Sequence, residues 1–312
     1  MDWVYTAIGL VLLILAGDAL VKGAVNSALR LGVPALIVSL TVVAFGTSAP
    51  ELLISIQSVL DDVPGIAIGN VVGSNIANVL LVLGIPALIA TLHTSECDTR
   101  GSYLQMMAAT ALFIVLCFMG PLTWISGVIL LIALAAMLVY AARAANAHRK
   151  ACADDEEIEG ADPSLGWPKI SLYLVLGLIG LPLGANLLVE GATSIAREFG
   201  ISETVIGLTL VAIGTSLPEL ATTVMAALRR QADVALGNVI GSNMFNLLGI
   251  MGVASLVGNI PVDPAFLRFD LWVMALASAA LIPFVFLKKD ITRIWGIGLT
   301  ALYVIYLVVV LV

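Results

Sequence analysis

Two glutamates, Glu51 and Glu219, stand deep inside apolar runs, and each closes the same motif, Gly-Thr-Ser-x-Pro-Glu. An ionised carboxylate so far from water is costly, so acids at such depth usually face a partner or a water-filled path, and the pair reads as a cation site. The plainer alternative is a neutral carboxylic acid that only hydrogen-bonds one helix to another. The same expensive residue at two matching places favours chemistry. Pro50 and Pro218 lack an amide hydrogen and crowd the carbonyl four residues earlier, that of Gly46 and of Gly214, so the helix should kink or unwind there. Carbonyls from Ala44 to Gly46 and from Ala212 to Gly214 are then expected to turn into a cavity, beside the hydroxyls of Thr47, Ser48, Thr215 and Ser216. Thr47 and Thr215 each precede their glutamate by four residues, which puts each pair on one helical face. One kink alone reads equally well as a plain bend; two, each beside an acid, read as a site.

Further along, Asn70, Ser74 and Asn78, and again Asn238, Ser242 and Asn246, recur at i, i+4 and i+8 and form polar stripes. The stripes are expected to line the cavity opposite the glutamates, with Asn75 and Asn243 pointing elsewhere to cap a break. Gly69-x-x-x-Gly73 and Gly237-x-x-x-Gly241 admit a neighbouring helix closely, which is a packing role. Two carboxylates, several hydroxyls, amide oxygens and backbone carbonyls, with no cysteine or histidine, make an oxygen donor set for hard cations such as Ca²⁺ and Na⁺ rather than zinc or copper. Two glutamates neutralise one Ca²⁺, and the neutral oxygens could divide among several Na⁺. Competition for one set of ligands is the physics of exchange.

The elements that must hold these residues are transmembrane helices. Of the 312 residues, 61% are hydrophobic and only 11% charged, which puts lipid rather than water around the chain. Ten apolar runs are long enough to cross a bilayer as helix: 4 to 29, 33 to 60, 65 to 91, 103 to 119, 122 to 142, 169 to 196, 203 to 228, 233 to 257, 271 to 287 and 291 to 311. They lack the alternation of barrel strands, so the fold class is an all-α polytopic membrane protein, with helices two and seven broken. The first run has no positive n-region and no small-residue cleavage site, and is read as a span rather than a signal peptide.

A constant offset of 168 residues aligns the two halves: VVAFGTSAPE from Val42 falls on LVAIGTSLPE from Leu210, and GNVVGSNIAN from Gly69 on GNVIGSNMFN from Gly237. Five spans per copy force the second copy to enter the bilayer upside down, giving inverted repeats at 1–145 and 169–312 joined by a linker at 146–168. Lys and Arg collect on the cytoplasmic side of short loops. With both termini outside, twelve of them lie inside and only Arg197 and Arg268 outside. The linker, with Asp154, Asp155, Glu156, Glu157, Glu159 and Asp162, is then a flexible cytoplasmic segment without EF-hand spacing. Cys97, Cys117 and Cys152 have no disulfide or metal spacing, and no basic patch invites nucleic acid. Asp18 and Lys22, one turn apart, read as a local ion pair near the inner end of the first span, with a gating role for Asp18 as the sharper alternative.

The paired GTSAPE and GTSLPE, each followed by its Gly-Asn-Val-x-Gly-Ser-Asn stretch, resemble the alpha repeats of the sodium/calcium exchanger family of cation/calcium antiporters, in the short prokaryotic form. The resemblance implies electrogenic alternating access, with Na⁺ entry expelling Ca²⁺ through a shared mid-membrane site in the cell (inner) membrane, and spans one and six sliding as a gate. It implies as ligands Ala44, Thr47, Ser48, Glu51, Ser74 and Asn78, and Ala212, Thr215, Ser216, Glu219, Ser242 and Asn246. It implies Ca²⁺ and Na⁺ as substrates, no cofactor and no protein partner. Several family members carry aspartate where this chain has Asn246, which leaves the ion ratio and any K⁺ requirement open; proton-coupled relatives carry an Asn-containing motif in place of Thr-Ser. A hydrolase built on Ser48 or Ser216 lacks a base, since His93 and His148 lie at a membrane edge and in the linker. A passive cation channel would use a similar cavity, but the inverted repeat and broken helices favour a carrier.

Overall fold

The computed structural model describes residues 2–151, 162, 164–200 and 212–311. Among them the fold is all-helical, with only two isolated β-bridges between loops. The long elements are α1 (Asp2–Leu31), α2 (Ala35–Thr47), α3 (Ala49–Leu60), α4 (Gly65–Ile89), α5 (Arg100–Phe118), α6 (Trp124–Ala151), α7 (Trp167–Glu198), α8 (Leu217–Leu228), α9 (Ala232–Val257), α10 (Pro264–Val285) and α11 (Arg293–Leu311). Eight of these are long and apolar enough to cross a membrane by themselves, and α2 with α3 forms one more span bent by 43°. Residues 203–211 of the expected seventh span lie outside the described residues, and its remainder is a short turn at Ala212–Gly214 followed by the twelve-residue α8. The same holds for Cys152 and for the linker acids except Asp162.

Polarity runs inside out, as lipid demands. Leucine, isoleucine and valine coat α1, α6, α7 and α11, while the buried interior holds asparagines, serines, threonines and both glutamates. The centre is α4 and α9, with 78 and 83% of their spanning residues buried against 17 to 39% in the other long helices. Around them, α1 and α7 pack antiparallel through glycines. A Cβ on Gly9 would lie 2.5 Å from the Leu188 amide nitrogen, and one on Gly191 2.7 Å from the Asp2 carbonyl. The glycine pair in α9 is used as its spacing predicts, since a Cβ on Gly241 would collide with the Leu40 carbonyl and α2 lies directly against it, whereas the pair in α4 is not: Gly73 has nothing within 4 Å of a Cβ and Gly69 only the Phe266 ring at 3.8 Å.

Backbone conformations repeat at the sequence offset. Gly32 and Gly200 both have positive φ, 63° and 75°, and so do Asp62 and Arg230, 60° and 57°. The loop bridges pair Leu92 with Ile291 and Leu122 with Ile260, so the equivalent residues Leu92 and Ile260 each join a strand-like segment of the other half. At the first of these loops His93 and Ser95 both bond Asp290. Partial burial opposes ionisation of Asp290, but these bonds outweigh it and hold its carboxyl below the usual carboxylate range.

Two expectations change. Helix α6 continues to Ala151, beyond the apolar run that ended at 142, because Ala, Arg and Lys sustain a helix in water as well as in lipid. The end of the linker is also anchored rather than free: the Asp162 amide donates to Asn26 Oδ1 at 2.8 Å, and Arg30 donates to the Leu165 carbonyl at 2.7 Å.

Candidate functional site

The helix breaks set the site. Between α2 and α3 Ser48 takes φ −86° and ψ 7°, and before α8 Ser216 takes φ −87° and ψ 4°, nearly the same departure from helix in each half. Pro50 and Pro218 then sit in the first turn of the helix that follows, where a missing amide hydrogen costs nothing. Glu51 and Glu219 occupy the same first turns, where unpaired amides and the helix dipole favour negative charge. The break does not set the Ala44 carbonyl free as expected: it accepts from the Ser48 amide at 3.1 Å and the Thr47 hydroxyl at 3.3 Å. Ala212 opens a helical turn that ends at Gly214, and Thr215 lies in the turn beyond.

Both glutamates are sealed from solvent, 1 and 0% exposed. The hydroxyls of one half serve the other. Ser48 donates to Glu219 Oε1 at 3.1 Å, and the Thr47 hydroxyl lies 3.3 Å from Asn238 Oδ1 and 3.5 Å from Ser242 Oγ. Ser242 is itself 3.5 Å from Glu219 Oε1. Ser74 is buried in α4.

The amides divide by task. Asn70 donates to the Glu51 carbonyl at 3.2 Å and Ser55 Oγ at 3.1 Å; Asn238 donates to the Glu219 carbonyl at 3.3 Å and Thr223 Oγ1 at 3.2 Å. Through these bonds both residues fasten the restarted helices. Asn75 and Asn243 do not cap a break but bond across the two halves, to each other's backbone and to Asn246 and Asn78. Both central helices widen where Asn78 and Asn246 stand: the Ala77 carbonyl accepts from Leu81 and Val82, and Phe245–Ile250 is a π-helical turn, a distortion common at functional sites.

Nine buried side-chain oxygens lack a hydrogen-bond partner among the described residues, and six belong to this group: both oxygens of Glu51, Oε2 of Glu219, Oδ1 of Asn78 and of Asn246, and Oγ of Ser216. An unpaired buried polar atom costs about 1–3 kcal/mol, and more when charged. Six together, five of them pure acceptors, are what a bound cation would satisfy. A cavity of about 930 Å³ opens elsewhere, at the end of the bundle where α2 begins, lined by His93, Glu96, Asp98, Arg230 and Asp233 among others.

Sequence reading missed three partners. Ser55 and Thr223, one turn after each glutamate, could have been found by running the repeat alignment further. The third, Arg229, pairs with Asp18 through Nη2 and donates to it through Nε at 2.6 Å, next to the expected Lys22 contact at 2.9 Å. Nothing local marks a partner 211 residues away.

A family model described as sodium/calcium exchanger protein matches residues 1–143 and 169–312, nearly the whole chain. The chain belongs to the sodium/calcium exchanger family. Within it the chain is 36% identical to the sodium/calcium exchanger MaX1 of Methanosarcina acetivorans, over 99% of this chain and 98% of that one. It is likewise 36% identical to a putative antiporter, CaxA, of Alkalimonas amylolytica, over 89 and 88% of the two chains. A solved structure of the sodium-calcium exchanger NCX_Mj, soaked without Na⁺ and Ca²⁺, superposes with a TM-score of 0.85 at 35% identity over 99% of this chain and 98% of that one. Members of the exchanger family are membrane transporters, not enzymes.

Proposed function

We propose that this chain is a secondary-active antiporter that expels Ca²⁺ with the Na⁺ gradient, both ions competing for one site between Glu51 and Glu219. The observation that carries this reading is the six buried oxygens without a partner among the described residues, drawn from both halves of the chain. The ligand set comprises Thr47, Ser48, Glu51, Ser74 and Asn78 with Thr215, Ser216, Glu219, Ser242 and Asn246, and the carbonyls of Ala44 and Ala212; the Ala44 carbonyl is freed for the cation when the Thr47 hydroxyl turns from it to the ion. Two carboxylates balance one Ca²⁺. With Asn246 in place of an acid, additional Na⁺ must rest on neutral oxygens.

The architecture that goes with this function is ten spans in two inverted repeats, with 1–145 and 169–312 as the copies, span seven formed by residues 203–228, and 146–168 in the cytoplasm. The repeated backbone angles at Ser48 and Ser216 support the repeat, and the exchanged loop bridges support its inversion. The burial of both acids supports a carrier over an open pore, since neither reaches water from either side in this conformation.

Calcium uptake into proteoliposomes under an imposed Na⁺, H⁺ or K⁺ gradient tests the reading. The expected result is uptake driven by Na⁺ and abolished by Glu51→Gln and by Glu219→Gln. Uptake driven only by a proton gradient would instead assign proton/Ca²⁺ antiport, and a K⁺ requirement a potassium-dependent exchanger.

A further inference from the structure

An asparagine side chain presents an oxygen at one corner and an NH₂ at the other, and half a turn about its last bond exchanges them. A cation is bound by the first and repelled by the second. Asn78 and Asn246 therefore serve the proposed site only if something fixes which corner faces it. Backbone carbonyls can fix this, because they accept and never donate.

Asn75 Nδ2 donates to the backbone carbonyl of Asn243 at 3.3 Å, which turns Asn75 Oδ1 the other way, where it accepts from Asn246 Nδ2 at 3.1 Å. With its NH₂ held, Asn246 leaves Oδ1 as its outer corner, buried and unpartnered among the described residues. The mirror chain is complete. Asn243 Nδ2 donates to the Asn75 carbonyl at 3.4 Å, Asn243 Oδ1 accepts from Asn78 Nδ2 at 3.1 Å, and Asn78 Oδ1 is left without a partner among the described residues. All four side chains are at most 1% exposed, so water does not compete. The NH₂ groups of Asn75 and Asn243 also face Met274 Sδ and Met106 Sδ, each at 3.8 Å, and these sulfurs accept only weakly. Turning either of these two amides over would set oxygen against a carbonyl and NH₂ against NH₂.

We propose that Asn75 and Asn243, outside the ligand set, are positioning residues that hold the amide oxygens of Asn246 and Asn78 toward the transported cation. This rests on the ion-site reading above. Aspartate gives the means to test it, because its two oxygens are equivalent and need no partner to turn one inward. Ca²⁺ affinity is measured by calorimetry on the purified protein for Asn75→Leu, Asn246→Asp and the double variant, and in parallel for Asn243→Leu, Asn78→Asp and their double.

Each leucine variant alone is expected to weaken Ca²⁺ binding about tenfold, the loss of one oriented ligand in a buried site, but only about twofold or less when aspartate stands at the oriented position. Equal losses in both backgrounds would mean that the asparagine merely packs the helices, and would overturn the inference. No loss in either background would overturn it too. The two arms are independent, so poor folding of one leucine variant leaves the other to decide. Glu219→Gln, measured alongside, separates the two readings. If it binds Ca²⁺ like the unmodified protein, the ion site falls and the positioning role with it; if it abolishes binding while the leucine losses are equal, only the positioning role falls.

Discussion

At the residue scale the site works by leaving oxygen acceptors without donors. Glu51 has neither carboxylate oxygen bonded among the described residues, whereas Glu219 takes a hydrogen bond from Ser48; the equivalent hydroxyl, that of Ser216, bonds nothing described. The donors that are present hold the backbone behind the acids. Replacing Asn238 with leucine would remove buried hydrogen bonds to the Glu219 carbonyl and to Thr223, so a loss of about 0.5–1.5 kcal/mol for each is expected, read as a lower thermal midpoint. An unchanged midpoint would show that these bonds do not fasten the helix. Both glutamates were legible in the sequence because the same motif occurs twice. The division of labour among the asparagines was not: a spacing of i, i+4, i+8 gives the helix face, but not whether an amide meets a cavity or a neighbouring carbonyl.

At the element scale, two long helices are zipped by glycine and tied to the bundle by charge. Because a Cβ on Gly9 would collide with the Leu188 backbone, Gly9→Val should force α1 and α7 apart at a cost of about 1–3 kcal/mol or more, visible as a fall in folded yield or melting temperature. The Asp18, Lys22 and Arg229 cluster joins α1 to the end of α8, with side chains 24, 38 and 33% exposed. Pairs so open to solvent contribute up to about 1 kcal/mol, roughly a fivefold change in an equilibrium constant. Asp18→Asn should therefore alter exchange rate by a few-fold while Ca²⁺ affinity stays the same, and loss of Ca²⁺ binding would place Asp18 in the site instead. The local half of this cluster and the proline breaks could be read from short spacings. Arg229 and the continuation of α6 past its apolar run could not, since one depends on tertiary approach and the other on helix propensity outside lipid.

At the scale of the whole molecule, a duplicated unit of odd span number accounts for the rest. The 168-residue offset, seen first in letters, reappears in backbone angles, in helix breaks and in the paired contacts of Asn75 with Asn243. Inversion predicts a definite sidedness. In a cysteine-free background, a cysteine at Ser164 should label from the cytoplasm and one at Asn259 from outside; labelling of both from one side would refute the topology. The repeat makes one cation site of two halves, neither sufficient by itself, and calcium stoichiometry tests that claim most directly. Calorimetry on the purified protein should count one Ca²⁺ per chain and none for either Glu51→Gln or Glu219→Gln, whereas Ca²⁺ bound with undiminished affinity after either substitution would contradict a shared site.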